Sequence, residues 1–284
     1  MYTYFYDQKL SQPKYRKTLS RLELKMADWG IGGEAIRLNQ FQNTRSLIKE
    51  VLKGQTRNLI AVGNDETAIK ISTALIQEKI NFPNQDIAFG FLALNEPFEL
   101  AKVLGLPTGL KACEAISARI IKNLDVFSVN RKHYFFTYLD IAYPEHKTGK
   151  RIAKLPWFKT KSFPVTLKIG QKFQASLSAI KLQIFNINPF PKNQLRINPQ
   201  DGLINVAVLG NLARLKLAKF KKLILRSDWQ NLPNLSFFTA KNLMASSNRP
   251  LPIFLGNTKI TRLPATFEPC GQKLQVIVGK NRRF

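Results

Sequence analysis

Apolar positions in the first 125 residues switch repeatedly between two periods. TYFYD, near the start, has the dense aromatic pattern of a short strand, whereas Leu19, Leu22 and Met26 recur at helical spacing between Lys14 and Ala27. EAIRL predicts a second strand, and residues 44–52 predict a second helix closed by Gly54. NLIAVG is the third strand, with its helix running from Thr67 to Lys79. IAFGFLAL is a fourth, too apolar for an exposed edge, and residues 97–104 read as another helix start. Alternation of this kind predicts an α/β layer with a mainly parallel sheet, whose ligands lie at the carboxyl ends of the strands.

From Val126 the rhythm changes. VFSVN and HYFFTYLDI are two strand-like runs joined by a short polar turn. FPVTLKI, FQASLS, KLQIFNIN, LINVAVL, NLSFFTAKNLMAS, PIFLG and LQVIVG follow at short intervals, separated by Gly, Pro and Asn. This pattern predicts an antiparallel β-sandwich or barrel-like sheet, with one basic helix over residues 213–225. The expected organisation is therefore an α/β nucleotide-binding-like domain over residues 1–125 and a β-rich sandwich domain over residues 126–284. The last strands are expected to pack back on the first domain.

Charge changes this picture. The 284 residues include 44 Lys and Arg against 18 Asp and Glu, a net charge of +26. Residues 1–125 hold 17 basic and 13 acidic residues, a net of +4, while residues 126–284 hold 27 and 5, a net of +22. Such asymmetry points to an anionic partner for the second half, either an anionic membrane surface or nucleic acid. The start, MYTYFYDQKL, lacks the basic n-region and apolar run of a secretory signal, and no apolar stretch approaches the ~20 residues that cross a bilayer. Cys113 and Cys270 lack metal-ligand spacing, and His133 and His146 are the only histidines, which argues against a zinc site. The expected location is the cytoplasm, with peripheral attachment to a membrane.

Candidate chemistry begins at LIAVGNDETAIKI, residues 59–71, which has the shape of a phosphate-binding strand–turn–helix. Glycines give backbone N–H groups access to phosphate oxygens and permit positive φ. This turn has only Gly63, with Asn64 and Glu66 at the other small positions. Asn tolerates left-handed geometry, so the loop could still form, and Glu66 suits the first turn of the following helix. A structural turn is favoured over a working cradle.

The order of elements and five local motifs resemble the diacylglycerol kinase catalytic family of bacterial lipid kinases, relatives of sphingosine kinases and NAD kinases. The family's AVGGDGT falls on AVGNDET, so Gly63, Asp65 and Thr67 match while Asn64 and Glu66 depart. Its PLGTGND and FARALGIP fall on ALNEPFE and LAKVLGLP, keeping Ala101 and Leu104 to Pro107 but losing the ligand-facing half. IIKNLDVFSVNRKHYFFTYLDI resembles the segment leading into the β domain, and PQDGLINVAVL resembles DDGLLDV, keeping Asp201 and Gly202. RPLPIFLGNT aligns with a PLPVQVDGE-like segment, and LPATFEPCGQKLQVIVG resembles the closing strands. The resemblance implies ATP and Mg²⁺ as cofactors, with Gly63, Asn64, Asp65 and Thr67 at the nucleotide and Asp201 at the metal.

It also exposes losses. Gly256, Asn257 and Thr258 stand where the family has the Asp-Gly-Glu thought to activate the acceptor hydroxyl, and losing a general base removes ~10²–10⁴-fold of rate. In the second loop, Pro97 removes a backbone donor and Phe98 replaces a polar amide. No catalytic residue is assigned on this reading.

Finally, KTGKRIAKLPWFKTKSF, residues 147–163, interleaves cations with aromatic rings. Lys154, Trp157, Phe158, Lys159 and Lys161 would suit an interfacial anchor on anionic headgroups, or stacking and phosphate contacts with single-stranded nucleic acid. A solvated basic loop explains them equally well. The sequence thus reads as a lipid kinase-like protein with degenerate catalytic motifs, a pseudokinase that binds anionic lipid or a membrane surface. The alternatives are an active ATP-dependent lipid kinase with altered loops, and nucleic-acid binding through the basic half.

Overall fold

In a computed structural model of the chain, residues 1–39, 41–81, 86–94, 99–143, 162–170, 173–188, 197–211 and 234–284 are described. They form two compact units, residues 1–124 with 272–283, and residues 125–271.

The first unit alternates β1 (Tyr2–Tyr6), α1 (Arg16–Asp28), β2 (Gly33–Arg37), α2 (Thr44–Lys53), β3 (Asn58–Gly63), α3 (Asp65–Asn81), β4 (Ala88–Ala93), α4 (Glu99–Leu104) and α5 (Ala112–Ala118). β1 pairs in parallel with β2 and β3, and β3 in parallel with β4. Each side chain of β3 and β4 is buried, which explains why both strands read as continuous apolar runs. The edge strand β2 is mostly exposed and carries Glu34 and Arg37, charges that blunt an open edge. α1 buries the Leu19, Leu22 and Met26 stripe against a cluster holding Tyr4, Ile60, Val62 and Leu92. The Tyr4 hydroxyl, deep in that cluster, donates to the Ile31 carbonyl, so its burial leaves no donor unmade.

The second unit is antiparallel. β5 (Ile121–Val129) begins within the first unit and continues into the second, where β6 (His133–Phe135), β7 (Tyr138–Ile141), β8 (Phe163–Ile169), β9 (Phe173–Phe185) and β10 (Ile204–Gly210) follow. β11 (Leu235–Ala240), β12 (Leu243–Ser246), β13 (Pro252–Leu255), β14 (Thr258–Arg262) and β15 (Ala265–Ile277) complete the chain order. β9 organises the unit: its first half pairs β8, and its second half lies between β7 and β10. Burial follows that change, alternating from Phe173 to Ser178 and becoming continuous from Ala179 to Phe185. β15 pairs β12 antiparallel at its start and β4 in parallel at Gln275 and Val276. Within the second unit Lys181 and Asp140 form a buried ion pair at 2.8 Å, and Gln183 donates to the same carboxylate at 2.7 Å.

The chain thus combines a parallel N-terminal sheet with antiparallel strands later, as expected. Several details differ. FQASLS and KLQIFNIN belong to one strand, because no turn residue interrupts them. HYFFTYLDI breaks at Phe136 and Thr137, where the Thr137 carbonyl accepts from Asn186. α5 and β14 were not anticipated. The expected basic helix over residues 213–225 lies outside the described residues. No helix among the described residues is long and apolar enough to cross a membrane.

Candidate functional site

Parallel pairing of Tyr6 with Val62 brings the carboxyl ends of β1 and β3 side by side. The chain leaves β1 at Asp7 and β3 at Gly63, and the Asp7 N–H donates to the Val62 carbonyl at 2.9 Å. Gly63 has φ +148°, and a Cβ there would lie 2.7 Å from the Cβ of Asp7. The glycine is therefore required by its own backbone and by the neighbouring strand end, before any ligand is considered.

Asn64 departs from the expected left-handed role, since it is not among the residues with positive φ. It instead caps α3: its Oδ1 accepts from the Thr67 N–H at 2.9 Å and its carbonyl accepts from Ala68 at 3.1 Å. Its Nδ2 donates to Asp7 Oδ2 at 3.0 Å, and the buried Thr67 hydroxyl donates to the same oxygen at 2.5 Å. The other Asp7 oxygen accepts from the Lys9 N–H at 2.8 Å. One carboxylate thus gathers three donors, and the turn closes on it.

Asp65, the first residue of α3, turns toward α4. Its carboxylate accepts from the Glu99 N–H at 3.1 Å and the Leu100 N–H at 3.3 Å, satisfying two donors at the start of that helix. Burial raises its pKa to about 6, against the lowering effect of those two N–H groups. Glu66 is exposed in the first turn of α3, where its charge suits the helix dipole. Glu99 pairs with Lys102 at 2.6 Å.

In the second unit, Asp201 is exposed and its Oδ1 accepts from the Leu203 N–H at 2.9 Å, a local turn bond. Gly202, at φ +72°, donates its N–H to the buried Asp125 carboxylate at 2.7 Å. The Asp125 carbonyl accepts from Asn186 Nδ2 at 2.8 Å. Gly256 and Asn257 form the two-residue turn between β13 and β14, with Gly256 at φ +56° and Leu255 paired to Thr258. Among the described residues no group of three or more His, Cys, Asp and Glu is placed to share a metal ion.

Gly63, Asn64, Asp65 and Thr67 are thus brought together in the first unit. Asp201 stands in the second, in its own turn. Lys154, Trp157, Phe158, Lys159 and Lys161 lie outside the described residues, as do Asn95, Glu96, Pro97 and Phe98. Asp7 and Asp125 were missed. The signal for Asp7 was present, since a carboxylate ending TYFYD falls at the carboxyl end of a parallel strand.

The sequence matches no protein-family profile and no curated protein. Solved structures do match over the whole chain. A diacylglycerol kinase from Bacillus anthracis str. Sterne superposes with a TM-score of 0.75 at 14% identity, covering 98% of this chain and 97% of that one. An NAD kinase from Archaeoglobus fulgidus in complex with ATP gives a TM-score of 0.58 at 9% identity, covering 100% and 96%. Yeast NADH kinase complexed with NADH gives 0.55 at 7% identity, covering 99% and 84%. The chain has the diacylglycerol kinase-like fold, which it shares more distantly with NAD kinases.

Proposed function

We propose that this lipid kinase-like protein has given up phosphoryl transfer and acts as a binding protein for an anionic lipid surface. The observation that carries the reading is the Asp7 carboxylate, which holds Asn64 and Thr67 inside the turn where a phosphate cradle would present free donors. A triphosphate entering this turn would meet an anion and an occupied hydrogen-bond network. Asp65 is engaged with the start of α4 and Asp201 stands in its own turn in the second unit, and among the described residues neither belongs to a group of three or more side chains that could share a metal ion. The residues present are a poor fit to nucleotide and metal.

The anionic surface is supported by charge. The half that begins at Val126 carries the +22 excess, and each basic residue close to an anionic membrane is worth roughly 1 kcal/mol. A handful suffices for attachment that weakens as salt screens it.

Two assays test the two parts. Radiolabelled ATP with diacylglycerol micelles should give no turnover above background. Robust turnover abolished by Asp65→Ala or Asp201→Ala contradicts the loss of phosphoryl transfer. Vesicles containing anionic lipid should bind the chain and release it with added salt, with Trp157 contributing to the contact. Equal, weak binding to vesicles with and without anionic lipid, alongside tight binding of single-stranded oligonucleotide, would assign the charge to nucleic acid instead.

A further inference from the structure

Away from the β1–β3 turn, the first unit contains a groove of about 480 Å³ between the end of α4, the α5 helix and the segment after β15. That final segment is tied down by three backbone bonds, from Val278 N–H to Ile120, from Gly279 N–H to Leu104 and from Arg283 N–H to Val103. Two glycines permit the close approach. A Cβ on Gly279 would overlap the Gly105 carbonyl, and a Cβ on Gly105, at φ +70°, would overlap the Arg282 backbone. The retained Leu104 to Pro107 motif is therefore the seat of the last residues of the chain.

The chemistry of the groove is uneven. Its wall includes the apolar side chains of Leu106, Ile120 and Val278, while Lys111, Lys280 and Arg283 bring three cations to it. Lys102 also lines it and is paired with Glu99. Glu114 is the one carboxylate among the lining residues. Arg283 Nη1 is buried and has no hydrogen-bond partner. An unmade guanidinium N–H bond is costly, and the planar Arg fork together with the two exposed lysine ammonium groups lining the same groove matches the oxygens of a phosphate. The volume suits a small molecule, and no aromatic ring among the lining residues offers a surface for a nucleobase.

We infer that this groove is a binding site for a phosphomonoester carried on a short apolar stem, with Arg283, Lys280 and Lys111 holding the phosphate and Ile120 and Val278 receiving the stem. The site is separate from the β1–β3 turn and stands whether or not the protein transfers phosphate.

The test is calorimetric titration of the full chain with hexyl phosphate. Removing a charged partner of a phosphate costs tenfold or more in affinity, so Lys280→Ala/Arg283→Ala should weaken binding by about that factor or beyond. Glu114→Gln should tighten it. Lys111→Ala/Lys280→Ala changes two exposed side chains only, and should weaken binding even if the Arg283 variant is unstable. Phosphatidylcholine vesicles doped with phosphatidic acid identify the source. Loss of vesicle binding in the same variants makes the ligand a lipid headgroup, while loss of hexyl phosphate binding alone makes it a soluble metabolite. Absence of hexyl phosphate binding, or equal affinity in the parent and in Lys111→Ala/Lys280→Ala, overturns the proposal.

Discussion

Asp7→Ala and Asn64→Ala, combined in a double-mutant cycle, probe whether the turn after β3 is closed by its own side chains. Asp7 accepts three hydrogen bonds, two of them from the half-buried Asn64 and the buried Thr67. Bonds to a charged group contribute about 1.5–3 kcal/mol each when buried, and less where water reaches them. Asp7→Ala should therefore lower stability by about 2–3 kcal/mol. Asn64→Ala removes one of these bonds and also the cap of α3, worth about 1 kcal/mol, so its loss should be about 2 kcal/mol. Because the Asp7–Asn64 bond is counted in both single variants, the double variant should lose about 1 kcal/mol less than their sum. Urea unfolding followed by far-ultraviolet circular dichroism measures all four corners. A coupling below about 0.3 kcal/mol, within the scatter of independent sites, would refute the closed turn.

Two other consequences concern buried charge. The folded-state pKa of Asp65, at about 6, lies above its unfolded value of 3.8, so the folded form binds the extra proton between those values. Stability from this group therefore falls as pH rises from about 4 to about 6, and Asp65→Asn should flatten that window by about 1–2 kcal/mol while keeping an acceptor for α4. Unfolding titrations at several pH values check this; an unchanged slope would contradict it. Asp140→Asn should destabilise the second unit by at least about 3 kcal/mol, because Lys181 stays buried without its carboxylate. A loss under about 1 kcal/mol by denaturant titration would mean that the pair is not buried in solution.

Strand–helix alternation was legible because β3 and β4 are buried along their whole length and α1 buries a single stripe of Leu19, Leu22 and Met26. The shift to antiparallel strands was legible from turn residues at short intervals. β9 was read as two strands because its exposure pattern changes halfway, which sequence periodicity registers as a boundary even where the backbone continues. α5 was missed for the opposite reason: it is seven residues long and ends at Arg119 in the left-handed region, with no glycine to mark the stop. At the candidate site, the residue types of the turn were visible but their partners were not. Asn64 was read as a glycine substitute, whereas its side chain is bonded to a residue 57 positions earlier, a contact that only the parallel pairing of β1 with β3 creates. Asp125, which fixes the Gly202 turn, was hidden in the same way by a separation of 77 residues.

On the proposed reading, the turn after β3 is a structural connection and not a phosphate cradle. Thermal unfolding of the full chain with and without Mg-ATP tests this most directly, because any ligand confined to the native state must stabilise it. Binding at a hundredfold excess over Kd would contribute about 2.7 kcal/mol. No upward shift in Tm is expected at millimolar Mg-ATP, in the parent or in Glu66→Gly. A clear rise in the parent, abolished by Asn64→Ala or Thr67→Ala, would contradict it.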